Sequence, residues 1–104
     1  MTPLEASLLD AIAGDERDLA AASPPATRDP ANIRLRLAKE NLEALGVRVN
    51  LPRWIPGAGE SAQRAARRAL LKLAALGLIR LSRAHGDHIT HAALSDKGRE
   101  LLAE

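Results

Sequence analysis

The stretch that decides the fold is residues 61–104, SAQRAARRALLKLAALGLIRLSRAHGDHITHAALSDKGRELLAE. Wound at about 100° per residue, Ser61 to Leu76 gathers Ala62, Ala66, Ala69, Leu70, Leu73 and Leu76 on one side of a helix and Arg64, Arg67, Arg68 and Lys72 on the other. Ser61 suits the N-cap, because its hydroxyl accepts from free N–H groups of the first turn, and Gly77 suits the left-handed position after the last. IRLSRAHGDHITHAAL then reads as two short strands about the polar turn His85-Gly86-Asp87-His88, and SDKGRELL closes the unit with a short apolar-backed segment.

Four cations and no anion on the outer face of that helix set it apart from the mixed-charge surface of a merely soluble helix. A polyanion is the natural partner. The bland alternative is a solvated face in an Arg- and Ala-rich chain, and Leu71 and Ala75 among the cations leave room for a protein groove instead. The ribbon that follows favours nucleic acid, since a helix leading directly into a two-stranded wing is how some DNA-binding domains seat one helix in the major groove and a loop beside the flanking backbone.

Leu70-x-x-Leu73-x-x-x-Gly77-Leu78-Ile79, a hairpin, then Leu94-Ser95-Asp96-Lys97-Gly98-Arg99-Glu100-Leu101-Leu102 is similar to bacterial winged helix-turn-helix transcriptional regulators, over roughly the second half of the chain. The resemblance implies a third helix that reads DNA, a wing that contacts phosphates, and a segment after the wing that leads into a dimerising element. Its Leu and Gly positions determine a fold and name no operator or ligand, and the same fold also serves protein contacts. Base reading falls to Gln63, Arg64, Arg67 and Arg68, because Gln pairs bidentately with adenine and Arg with guanine. Lys72, Arg80, Arg83, His85 and His88 are the remaining candidates, for phosphates along the helix and wing.

At 104 residues the chain holds one domain around one core. It has no Cys, so neither a disulfide framework nor a thiolate metal site is available. No apolar run approaches the roughly 20 residues that span a bilayer, and no basic leader follows Met1, so a cytoplasmic location is expected. The net charge of +2 hides a polarity. Residues 1–29 carry two cations against six carboxylates, a net of −4, whereas residues 53–83 carry seven cations against Glu60 alone, a net of +6. That asymmetry concentrates attraction for nucleic acid at one end and leaves the acidic start to repel DNA or meet a basic surface.

From the start, Thr2 and Glu5 form a capping box, Pro3 suits the first helical position and Gly14 the exit, which predicts a first helix over Pro3 to Ala13. Its Leu4, Leu8, Leu9, Ala11 and Ile12 need a covering surface. Residues 22–29, with Ser23-Pro24-Pro25, read as a linker. Asp29-Pro30 restarts the chain as N-cap and first residue of a second helix to Leu45, with Leu35, Ala38, Leu42 and Leu45 at helical spacing before Gly46. Val47-Arg48-Val49 alternates as a small strand, Asn50 caps a short helix from Leu51 to Ile55, and Pro56-Gly57-Ala58-Gly59 breaks the connection to the basic helix, a departure from the usual three- or four-residue turn of the family. The reading is a mainly α chain with a small β-wing, a winged helix-turn-helix plus an N-terminal helix: 1–21 an N-terminal helical region available for dimerisation, 22–29 a linker, 30–104 the winged helix domain.

Trp54 is the one aromatic residue, so stacking on single-stranded bases has little material, and the indole is expected in the core between the second and the basic helix. His85, His88 and His91 invite a metal reading that strand geometry weakens, since 88 and 91 point to opposite faces of one strand. No nucleophile elbow, phosphate loop or buried titratable cluster marks an enzyme, and no motif announces a cofactor or small-molecule ligand. The sequence therefore points to sequence-specific binding of double-stranded DNA by a transcriptional regulator or mobile-element accessory factor. The alternative is a winged-helix module for protein–protein interaction. A homodimer through the first helix is the expected assembly, against the plainer outcome that this helix packs on its own domain.

Overall fold

The computed structural model describes residues 1–103. It is mainly helical with one small antiparallel sheet: α1 (Pro3–Ala21), α2 (Pro30–Leu45), β1 (Val47–Arg48), α3 (Leu51–Trp54), α4 (Glu60–Ala75), β2 (Ile79–Ala84), β3 (His88–Leu94) and α5 (Asp96–Ala103). None of these helices is long and apolar enough to cross a membrane.

Local chemistry sets most of the boundaries. Thr2 Oγ1 accepts from the Glu5 N–H at 3.1 Å and Pro3 occupies the first turn. The helix does not stop at Gly14 but runs on to Ala21. An interior Gly costs only about 1 kcal/mol against Ala, and the turn beyond it gains the packing of Leu19 together with contacts from Asp15 and Glu16 described below. What ends α1 is Ser23-Pro24-Pro25, since a residue preceding proline is driven out of the helical region. Asp29 caps α2 by accepting from the Ala31 N–H at 2.9 Å.

The cap of α4 lies two residues earlier than the sequence suggests, at Gly59 with Glu60 in the first turn, so Ser61 lies inside the helix and caps nothing. Glu60 instead sets a negative charge against the positive end of the helix dipole. The true hydroxyl cap is Ser95, whose Oγ accepts from the Gly98 N–H at 3.0 Å and donates to the Gly77 carbonyl at 2.5 Å, fastening α5 to the end of α4.

In the sheet the order is β1-β3-β2, with Val47 opposite Ala92, Arg48 opposite His91, and Ile79 opposite Leu94. A bulge between Ser82 and Arg83 shifts the β2–β3 register, and Thr90 Oγ1 donates to the Ser82 carbonyl at 3.2 Å beside it. The chain enters β1 through Gly46 at φ 89°, where a Cβ would stand 2.2 Å from the Ala92 carbonyl oxygen. Only glycine lets the two backbones approach that closely.

One core unites the molecule. Leu8, Leu9 and Ile12 of α1 are buried in the same cluster as Ala66, Leu70 and Leu73 of α4, Leu51 and Trp54 of α3, and Val47, Ile79, Ala92 and Leu94 of the sheet. This corrects the division of the chain at residue 21. The apolar face proposed for dimerisation lies inside the protein, and α1 is a member of the domain. Helix α2 is the outlying element, for it buries no residue fully: Leu35, Leu42 and Leu45 are half-buried, Ala38 is exposed, and Ile33 and Leu37 face solvent. On α4 the structure leaves Ala62 and Leu76 exposed as well.

Leu8→Ala should cost roughly 2–5 kcal/mol of unfolding free energy, and a chain starting at residue 22 should lose its cooperative melt by circular dichroism. A sharp thermal transition in that truncated chain would show that α1 is dispensable to the core.

Candidate nucleic-acid interface

Amphipathic spacing gives α4 its two faces, and the structure sorts the predicted cations among them. Arg67 and Arg68 are exposed and take part in no ion pair among the described residues. Arg64 pairs with Glu60 one turn back at 3.4 Å, with both side chains well exposed. Such a pair is worth little and leaves the guanidinium free to change partner.

Between the N-terminal half of α4 and the start of β3 lies a groove of about 430 Å³. Gln63, Arg67 and His88 line it together with Arg48 and Thr90, over a floor that includes Leu70. Gln63 donates to the Ala58 carbonyl at 3.3 Å, which ties its amide to the Pro-Gly loop ahead of the helix. Arg83 and His85 stand at the exposed end of the wing, outside the groove. Arg83 pairs with Asp87 at 3.4 Å in the open. His85 holds φ at 49°, a left-handed conformation that histidine tolerates better than branched residues do, and this bends the ribbon into its turn.

Two of the predicted residues lie outside that groove. Lys72 Nζ lies 3.1 Å from Glu5 Oε1, and the Glu5 side chain is only 3% exposed. The Lys72 charge is thus committed to a carboxylate in the α1–α4 seam. Arg80 lines a separate cleft with Glu16 and Arg99, away from α4. Helical and strand periodicity assign a residue to a face of its own element, and neither reports which faces other elements cover.

Arg48 was not among the residues singled out. The alternation Val47-Arg48-Val49 carried the signal, because an outward residue on a strand paired with the wing has to emerge beside it. Opposite Arg48, the His91 imidazole is held below its ordinary pKa, first by burial and then by the neighbouring guanidinium. Glu5 is also held below its ordinary value, chiefly by the hydrogen bond from Lys72, with burial pulling the other way. Its Oε2 is buried without a partner, so ionisation there depends on Lys72.

Carboxylates of α1 also position the elements around the groove. Asp15 Oδ2 accepts from Trp54 Nε1 at 2.8 Å and pairs with Arg53, so the indole, buried in the core as the sequence suggests, is anchored to α1. Glu16 Oε1 accepts from the Leu94 N–H at 2.9 Å, and Oε2 meets Arg99 at 3.4 Å. No protein-family model, curated protein or solved structure matches this chain.

Asp15→Ala should move the emission of the single indole and lower stability by about 1–3 kcal/mol; an unchanged spectrum and melt would remove Asp15 as the anchor. The pH dependence has two limbs. His91 is harder to protonate folded than unfolded, so its contribution is present above its ordinary pKa of about 6.5 and is lost as pH falls from there through its lower folded value. Glu5 is easier to ionise folded, so its contribution persists above the ordinary value of 4.5 and disappears as pH falls below it. In chemical denaturation at a series of pH values, His91→Gln should flatten the first limb and Glu5→Gln the second.

Proposed function

We propose that this chain binds double-stranded DNA as a winged helix-turn-helix protein, with α4 in the major groove and the β2–β3 ribbon beside the flanking backbone. The observation that carries the reading is the arrangement of Arg64, Arg67 and Arg68 on the outer face of α4, next to a groove where Arg48 adds a further cation and Asp87 is the one carboxylate in the lining. The strand order β1-β3-β2, with two helices between β1 and β2, supports it further.

In this reading Gln63, Arg64, Arg67 and Arg68 meet base edges in the first two turns, while Arg48, Arg83 and His88 hold phosphates. Regulation of transcription, or service to a mobile element, is the role such a module performs. A homodimer would pair through surfaces other than α1, whose apolar face is occupied. A second reading, a protein-interaction module, is favoured by Leu71 and Leu76 near the C-terminal end of α4, which are 42% and 46% exposed.

Fluorescence anisotropy with mixed-sequence duplex DNA at several salt concentrations tests the proposal. Neutralising six phosphates predicts a slope of log affinity against log salt near −0.9 per contact, about −5 in all. A flat response, or no binding at about 50 mM salt, would falsify it. Arg48→Ala and Arg83→Ala should weaken all sequences alike, whereas Arg67→Ala should relax preference at one base position, losing about 1–3 kcal/mol of discrimination. Lys72→Ala should lower the melting temperature and leave the salt slope unchanged.

A further inference from the structure

The DNA reading leaves unused a cleft of about 900 Å³ that shares no residue with the α4 groove. Leu42 of α2 lines it along with Ala93 and Leu94 at the end of β3, while Arg17, Lys39 and Arg80 enter from three different elements. Its size lies in the range of small-molecule sites, roughly 300–1,000 Å³.

The charges around it are unequally committed. Arg99 is shared by Glu16 and Asp96, at 3.4 and 3.7 Å, and Glu16 also holds the Leu94 N–H. Those two lining carboxylates are therefore occupied by their own surroundings. Arg17, Lys39 and Arg80 form no ion pair among the described residues, and the one lining carboxylate equally unpaired is Glu43. Over the whole lining four cations face three carboxylates, and Arg17 and Arg80 are the two guanidinium groups left without an ion-pair partner among the described residues, around a partly apolar lining. Guanidinium groups match a carboxylate in plane and in spacing, and their weak hydration suits them to the edge of an apolar cleft.

We propose that this cleft binds a small organic carboxylate with an aliphatic or aromatic body, the carboxylate meeting Arg17 and Arg80 and the body lying on Leu42, Ala93 and Leu94. Helix α2 forms one wall and buries no residue fully, so an occupant bridges that helix to the sheet. Lys39, which donates to the Ala22 carbonyl, ties that wall to the end of α1 and keeps the cleft framed when empty.

The test uses the full chain labelled with ¹⁵N and 2-naphthoate as probe, with 2-naphthalenemethanol as its uncharged counterpart. Saturable shifts at the amides of Leu42, Ala93 and Leu94 are expected with the carboxylate. The alcohol, and the Arg17→Ala/Arg80→Ala double variant, should each bind at least roughly tenfold more weakly. Both arginines are exposed, so the double variant should keep the wild-type circular dichroism and melt. Absence of saturation, shifts confined to α4, or equal binding of alcohol and acid overturns the proposal. So does a double variant that folds and binds like the wild type.

Discussion

Everything in this molecule depends on how α1 is buried. Three side chains on its inner stripe, Leu8, Leu9 and Ile12, are almost completely removed from water in the same cluster as Leu70 and Leu73 of α4. Around that stripe three carboxylates reach three different parts of the fold: Glu5 to Lys72, Asp15 to Arg53 and Trp54, Glu16 to Leu94 and Arg99. Apolar burial supplies the driving force and is indifferent to direction. The carboxylates add direction, because each is satisfied in one docking of α1 and stranded in others. Two links, Glu5 to Lys72 and Asp15 to Arg53, join the acidic start to the basic middle within the chain.

Much of the fold was legible because local rules and tertiary packing agreed. Asp29-Pro30 and Gly46 bound α2 as they stand in the sequence, and Gly77, at φ 77°, ends α4 as such a residue should. The β2–β3 hairpin followed from alternation about a Gly-Asp turn. Where the reading failed, a weak local signal competed with a strong distant one. Gly14 is a poor helix residue, yet Asp15 and Glu16 just after it make contacts 39 and 78 positions away in the chain, which no window of neighbouring residues reveals. Ser61 is a good cap in the wrong place, since Glu60 already serves the first turn.

The candidate interface was legible to a similar degree and for the same reason. Outward Arg residues on one amphipathic helix remain outward unless another element covers them, and this held for Arg64, Arg67 and Arg68. Lys72 is outward too, but its flexible stem carries its charge to a carboxylate on another helix. Arg48 entered from a strand of two residues whose importance lay in its pairing with β3.

The register break in β2 bears on a different matter. With the order β1-β3-β2, β2 is an edge strand of six residues, long enough to recruit a strand from another molecule and begin an aggregate. The displacement at Ser82 and Arg83 interrupts the regular spacing of its outer amides, and the two exposed arginines at 80 and 83 place like charges where two such edges would meet. The bulge that shapes the hairpin thereby also makes the outer edge of β2 a poor template for a fourth strand.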